Sequence, residues 1–192
     1  MHRFPRLHAA LDYAAEAHQA QLRKGTNTPY LSHLLGVASL VLENGGDEDQ
    51  AIAGLLHDVL EDAGLEHAEV IRERFGDRVL AIVEACTDGT PDAVGNKAPW
   101  RHRKQAYLDH LEAAQQDAVL VSACDKLHNA RAIAMDLASG ADVFARFTGG
   151  VDGTVWYYQT LVGAFSRRLG VGHPIVLELG STVERFTSTG SR

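Results

Sequence analysis

The stretch Gly54-Leu55-Leu56-His57-Asp58-Val59-Leu60-Glu61-Asp62 decides how this chain is read: an apolar, helix-like run carries an adjacent His-Asp pair and, one turn on, two more carboxylates. Residues four apart share a helix face, so the spacing predicts His57 over Glu61 and Asp58 over Asp62. Leu55, Leu56, Val59 and Leu60 supply the apolar packing. Buried carboxylates are costly unless a metal ion, a cation or a hydrogen-bond network compensates them. The dipeptide alone proves little, because 10 histidines and 14 aspartates in 192 residues give about 0.7 His-Asp pairs by chance. Its apolar helical setting is what points to a metal site.

Outward from this segment, apolar residues recur three and four apart and no segment alternates as a strand would. The pattern predicts an all-α domain, a bundle of about eight to nine helices near residues 6–21, 31–44, 48–62, 66–75, 77–86, 101–114, 117–138, 151–169 and 174–186. Gly45-Gly46 ends the second helix, and Asp47 with Gln50 has the spacing of a capping box for the third. Asp117 is read as a further cap. Thr87 to Pro99, with two glycines and two prolines, reads as a loop rather than a linker, so residues 1–186 form a single domain and 187–192 a frayed tail.

Composition narrows the function classes. At 45% hydrophobic and 22% charged residues, the chain is long enough to bury a core and polar enough to stay in solution. A net charge of −7 without a basic run argues against nucleic acid polymers as partners, so any anionic ligand must be met by local cations. Cys86 and Cys124 are too few for a disulfide framework or a thiolate zinc site. No apolar run approaches the roughly 20 residues that span a bilayer, and the N-terminus lacks a signal-peptide core. A cytoplasmic protein is expected, without membrane contact; self-association into a homo-oligomer stays open.

A metal site needs more ligands than one dipeptide. His33, after Pro29-Tyr30 at a helix start, and Asp125, in the apolar run Val121-Ser122-Ala123-Cys124-Asp125-Lys126-Leu127-His128-Asn129, are the candidates. With His57 and Asp58 they make two imidazoles and two carboxylates, a mixed set suited to Mn²⁺, Mg²⁺, Fe²⁺ or Zn²⁺ with positions left for water and substrate. The plainer readings are a buried salt bridge for Asp125 and a solvent-facing helix start for His33. His128, one turn from Asp125, is a weaker ligand candidate. Arg23 and Lys24 precede Gly25 near His33, and such a pair suits phosphate oxygens. Arg101, Arg103, Lys104, Lys126 and Arg131 are the other cations of note. In the C-terminal third, Arg146 to Gly150 and Gly153 to Tyr158 are placed to close a pocket. Trp156 reads as core, while Tyr157 and Tyr158 are candidates for a nucleobase face. His67, His102, His110 and His173 read as surface or capping residues.

The chain resembles the HD-superfamily phosphohydrolases, and within them the small, metazoan-type alarmone hydrolases similar to the hydrolase half of bifunctional guanosine tetraphosphate enzymes. The resemblance lies in His18-Gln19-Ala20-Gln21-Leu22-Arg23-Lys24-Gly25-Thr26-Asn27-Thr28-Pro29-Tyr30-Leu31-Ser32-His33, Leu55 to Asp62, Phe75-Gly76, Thr87-Asp88 and Asp125-Lys126-Leu127-His128-Asn129, in the family's order and spacing over roughly residues 5 to 135. It implies that His33, His57, Asp58 and Asp125 hold a divalent metal, usually manganese. Glu61 and Asp62 would be the catalytic acids, Arg23 and Lys24 would hold the departing pyrophosphate, and Asn129 would contact the nucleotide near the ribose. The implied reaction removes the 3′-pyrophosphate of (p)ppGpp to leave GDP or GTP, without synthesis. Adenosine alarmones, NADPH, or nucleotide sensing without turnover are the alternatives.

Overall fold

The computed structural model describes residues 4–87 and 98–189, and among them the regular elements are helices. These are α1 (Leu7–Ala17), α2 (Leu31–Glu43), α3 (Glu48–Leu56), α4 (Val59–Asp62), α5 (His67–Phe75), α6 (Asp77–Cys86), α7 (Trp100–Ala113), α8 (Gln116–Ala138), a 3₁₀ turn (Phe144–Arg146), α9 (Gly150–Leu169) and α10 (Pro174–Thr189). Most of the expected Thr87 to Pro99 loop, including Asp88, lies outside the described residues, as do 190–192 of the expected tail. None of the described helices is long and apolar enough to cross a membrane.

Helix α8 is the axis of the bundle and packs against α2, α3, α6, α9 and α10. Its stretch from Ala118 to Asp125 is buried without interruption, as expected of a helix apolar on every side. The core around it includes Leu34, Ile52, Leu55, Leu56, Leu127, Leu161, Phe165, Leu179 and Phe186. The capping box forms as the spacing predicts: Gln50 N donates to Asp47 Oδ1 at 3.0 Å, and Gln50 Oε1 accepts from Asp47 N at 3.1 Å. Asp117 does not cap α8. It sits in the first turn and accepts from Arg78, whose guanidinium also reaches Asp47 and Asp49 and so ties the starts of α3 and α8 to α6.

Two predicted helices are shorter than their periodicity suggested. The first ends at Ala17, and the chain then turns into a small hairpin closed by a bridge between Leu22 and Pro29, with Arg23 N donating to Thr28 O at 2.8 Å. The predicted 48–62 helix is broken at His57-Asp58 into α3 and α4, which raises the number of α-helices among the described residues to ten. Adjacent residues on an unbroken helix point about 100° apart. The break turns the two neighbours toward one point instead, bringing His57 Nε2 within 3.0 Å of Asp58 Oδ2.

Candidate active site

Four side chains from three parts of the fold converge at that break. His33 rises from the first turn of α2, His57 and Asp58 occupy the α3–α4 junction, and Asp125 projects from the middle of α8. His33 Nε2 lies 3.2 Å from Asp125 Oδ1 and 3.7 Å from Asp58 Oδ2, while His57 Nε2 lies 3.0 Å from Asp58 Oδ2 and 3.5 Å from Asp125 Oδ1. Both histidines are at most 1% exposed, yet neither Nε2 has an aligned hydrogen-bond partner. Buried polar atoms are normally satisfied. His33, His57 and Asp58 bring ligand atoms within 4.8 Å of one another, a donor set that fits a divalent cation with open positions, and Asp125 Oδ1 faces the two imidazoles from α8.

The surroundings fix the orientation of each of the four. His57 Nδ1–H donates to Gly54 O at 2.9 Å, which turns Nε2 toward the carboxylates. His33 and His128 share an Nδ1-to-Nδ1 hydrogen bond of 2.9 Å, so His128 is an outer partner of His33 rather than part of the cluster. Tyr30 O–H donates to Asp58 Oδ2 at 2.5 Å. Asp125 accepts from Asn129 Nδ2 on Oδ1 and from Lys126 Nζ on Oδ2, each at 2.6 Å. The plainer reading of Asp125 as one half of a buried salt bridge therefore holds for one of its oxygens, while the other faces the histidines.

Burial and charge set the protonation pattern. Burial lowers His33 below the ordinary histidine value despite Asp125, and burial with His33 nearby brings His128 down to about 4. Burial also works against a charged His57, but Asp58 and Asp125 outweigh it and hold this imidazole well above its ordinary value. Asp58 and Asp125 lie below the ordinary carboxylate range: burial is offset by His57 in the first case, and by Lys126 and His57 in the second. Burial thus disfavours charge on His33, while the facing carboxylates favour it on His57.

Gly36 makes the His33–His128 contact available, since a Cβ there would stand 2.2 Å from His128 Nε2. We expect Gly36→Ala to fold, because only a ring tip must move. His128 is then pushed off His33, and divalent-ion affinity falls by about 10- to 100-fold, the usual cost of losing an outer-shell partner. A Mn²⁺ titration paired with a thermal melt checks both halves of that expectation.

Glu61 and Asp62 follow the break on α4. Asp62 is exposed and accepts from Gln21 Nε2 at 2.8 Å, and Gln21 Oε1 is in turn held at 2.6 Å by the Nδ1 of buried His18, which stacks on Tyr30. Arg23, in the hairpin, donates to Asn129 Oδ1 at 2.9 Å and lies over the Tyr30 ring. Arg23, Lys24 and Asn129 border a cavity of about 550 Å³, and the residues bonded directly to the cluster (Tyr30, His128 and Asn129) form part of the same wall. Tyr157 and Tyr158 line it although both are nearly buried. Trp156 is half-buried, with Arg101 against its ring.

The wall also holds Lys104, one of the cations noted in the sequence, and Arg146 and Phe147 from the segment expected to close a pocket, together with Trp100 and with Asp136, the ion-pair partner of Arg146, neither of which carried a site expectation. Tyr30 stands three residues before His33, a same-face spacing that points to its role. His67, read as a surface or capping residue, is half-buried at the start of α5, with Nδ1 2.5 Å from the Tyr13 hydroxyl.

Known proteins are similar to this chain in sequence and in fold. Over 125 residues, 64% of this chain, it is 40% identical to the guanosine-3′,5′-bis(diphosphate) 3′-pyrophosphohydrolase MESH1 of Xenopus tropicalis. The human MESH1 is 35% identical over the same length, and an Aquifex aeolicus protein named as the same pyrophosphohydrolase is 36% identical over 126 residues. The chain spans 66% of the frog protein and 17% of the Aquifex one. Among solved structures, a metazoan ortholog of SpoT superposes with a TM-score of 0.77 over 96% of this chain and 97% of its own, at 24% identity, a likeness of fold. The lmo0812 protein of Listeria monocytogenes EGD-e gives 0.69 over 84% and 99%, at 28% identity. A family model described as the HD domain matches residues 10–151, the span that holds His33, the broken helix and Asp125, and by that match the chain belongs to the HD domain family.

Proposed function

We propose that this chain is a metal-dependent hydrolase that removes the 3′-pyrophosphate of guanosine alarmones, with Mn²⁺ as its ion. The observation that carries the reading is that Tyr30, His128 and Asn129, each hydrogen-bonded to the His/Asp cluster, share a cavity wall with Arg23 and Lys24. The names of the relatives at 35% to 40% identity support the substrate.

In this reading His33, His57, Asp58 and Asp125 hold the ion. Bound there, a divalent cation polarises a phosphoryl oxygen and makes water a nucleophile at neutral pH. Arg23 and Lys24 grip the pyrophosphate and offset its charge locally, which matters more at contact distance than the overall −7. Water adds to the phosphorus joined to the 3′-oxygen, the P–O3′ bond breaks, and the 3′-hydroxyl leaves with a proton. Glu61 and Asp62 take and return these protons; Gln21 aims Asp62 for the purpose. Asn129, tied to both Arg23 and Asp125, sets the ribose between the phosphate grip and the cluster.

The test is incubation with Mn²⁺ and a panel of ppGpp, pppGpp, ppApp and NADPH, with products resolved. Pyrophosphate and GDP from ppGpp, lost with chelator and restored by Mn²⁺, is the expected result. Turnover of ppApp or NADPH alone would move the substrate, and no turnover of any would leave a nucleotide sensor.

Metal uptake must also depend on pH in a defined direction. Asp58 and Asp125 favour the protonated form of His57, and that proton must leave before the imidazole can ligate. Apparent affinity for Mn²⁺ therefore rises with pH, by up to roughly tenfold per pH unit while one proton is displaced. Calorimetry at one pH in two buffers of different ionisation heat reads the proton released; a value of zero would contradict protonation of His57 before the ion binds.

A further inference from the structure

We propose that the ion pair Asp136–Arg146 reads the edge of the nucleobase and selects guanine over adenine. This inference rests on the function proposed above, because it takes the phosphates to lie at the His/Asp cluster.

Helix α8 acts as the ruler. Asp125, Asn129, Ile133 and Asp136 follow one another at spacings of four, four and three, so they form one stripe along the helix. With Asp125 in the cluster and Asn129, Ile133 and Asp136 on the cavity wall, the cavity runs along this stripe. At 1.5 Å per residue, Asp136 stands about 10 Å beyond Asn129 and about 16 Å beyond Asp125. A nucleotide whose 3′-phosphates sit at Asp125 and whose ribose sits at Asn129 therefore carries its base toward Asp136.

Arg146 reaches that point from the 3₁₀ turn and donates through Nη1 to Asp136 Oδ2 at 2.7 Å. Its side chain crosses the phosphate hairpin at Gly25, whose φ of +75° is a glycine conformation and whose missing Cβ would lie 2.7 Å from Arg146 Cδ and Nε. The same hairpin that presents Arg23 and Lys24 thus also seats Arg146. Side chains of the pair are 36% and 25% exposed, open enough to meet a ligand, and a half-open ion pair contributes little to stability. Val143, Ile133 and Phe147 give the same end of the cavity its apolar walls.

The pair is matched to guanine. Guanine offers adjacent N–H donors at N1 and N2, which a carboxylate accepts together, and acceptors at O6 and N7, which a guanidinium fork fills. Adenine reverses the polarity: its N1 is an acceptor and would face the carboxylate lone pairs, while its 6-amino group would face a guanidinium that can only donate. Discrimination therefore includes a repulsive element as well as an attractive one. One oxygen of Asp136 is held by Arg146, which leaves the other and the free lone pairs for the base.

Equilibrium binding tests this without turnover. Calorimetry with guanosine 3′,5′-bisphosphate and adenosine 3′,5′-bisphosphate is run on the Mn²⁺-loaded protein and on Asp136→Asn and Arg146→Lys, with melting temperatures alongside. Wild type is expected to favour the guanosine ligand by about 10- to 100-fold, the scale of a good bidentate base contact. Asp136→Asn, which can still accept from Arg146, is expected to remove most of that ratio while the adenosine affinity stays or improves. Equal affinities in wild type, binding of neither ligand, or variants that weaken both ligands in parallel would overturn the proposal. Retained preference for guanosine in a protein that hydrolyses no alarmone would leave base reading standing and remove the hydrolase reading instead.

Discussion

Asp58→Asn and Asp58→Ala proteins, stripped of metal and titrated with Mn²⁺, are expected to bind it more weakly than wild type by well over the roughly 100-fold that an outer-shell loss can cost, and to lose alarmone hydrolysis with it. Asp58 is the closest carboxylate to His57, and its negative charge faces both orphaned imidazole nitrogens. Asparagine keeps the shape and can still accept from Tyr30, so the comparison isolates the charge. Because Asp58 stands at the start of α4 and is not part of the apolar core, circular dichroism is expected to show an intact helical fold in both variants. An Asp58→Asn protein that binds Mn²⁺ as wild type does would remove Asp58 from the ligand set. The same variant also lowers His57 toward its ordinary range, since Asp58 is its strongest charge partner. Proton release on binding should shrink accordingly.

Glu61→Gln combined with Asp62→Asn separates chemistry from metal binding. Neither residue belongs to the cluster of four, so Mn²⁺ affinity is expected to stay near wild type. Turnover of ppGpp is expected to fall by about 10²- to 10⁴-fold, the range for loss of general acid–base assistance. The signature is a drop in kcat with little change in KM, as for groups that act mainly in the transition state. Equal losses in metal affinity and turnover would place these carboxylates in the ligand set instead. Gln21→Ala offers a graded version, because it frees Asp62 from its hydrogen bond without removing the carboxylate. A partial fall in kcat with unchanged metal affinity is expected there.

Much of this was legible along the chain. The all-α class follows from apolar residues three and four apart, and the α3 cap from Asp47 and Gln50, because both depend on neighbours within a turn. The chemistry of the cluster was legible too, since buried imidazoles and carboxylates have few other compensations. What periodicity missed was the helix break at His57-Asp58. Propensity favours continuing through Val59 and Leu60, and only the convergence of the two side chains with His33 and Asp125 explains the turn. Asp117 misled for a simpler reason: α8 begins at Gln116, so Asp117 lies inside the first turn rather than at the cap, and its carboxylate pairs with Arg78 of α6.

The sequence by itself determined the helical class, the cap on α3 and the imidazoles and carboxylates available to the cluster, because residue chemistry and the 3.6-residue period are properties of the chain wherever it goes. Tertiary structure alone decided which of them meet and what stands behind each. His33 and His128 are 95 residues apart, Arg23 and Asn129 are 106, and Gln21 and Asp62 are 41. The joining of Arg146 to Asp136 over Gly25 likewise required the 3₁₀ turn to fold back on the hairpin. Such contacts arise from how helices cross and how closely they approach, as at Gly36, and no local pattern encodes a crossing between segments so distant in sequence.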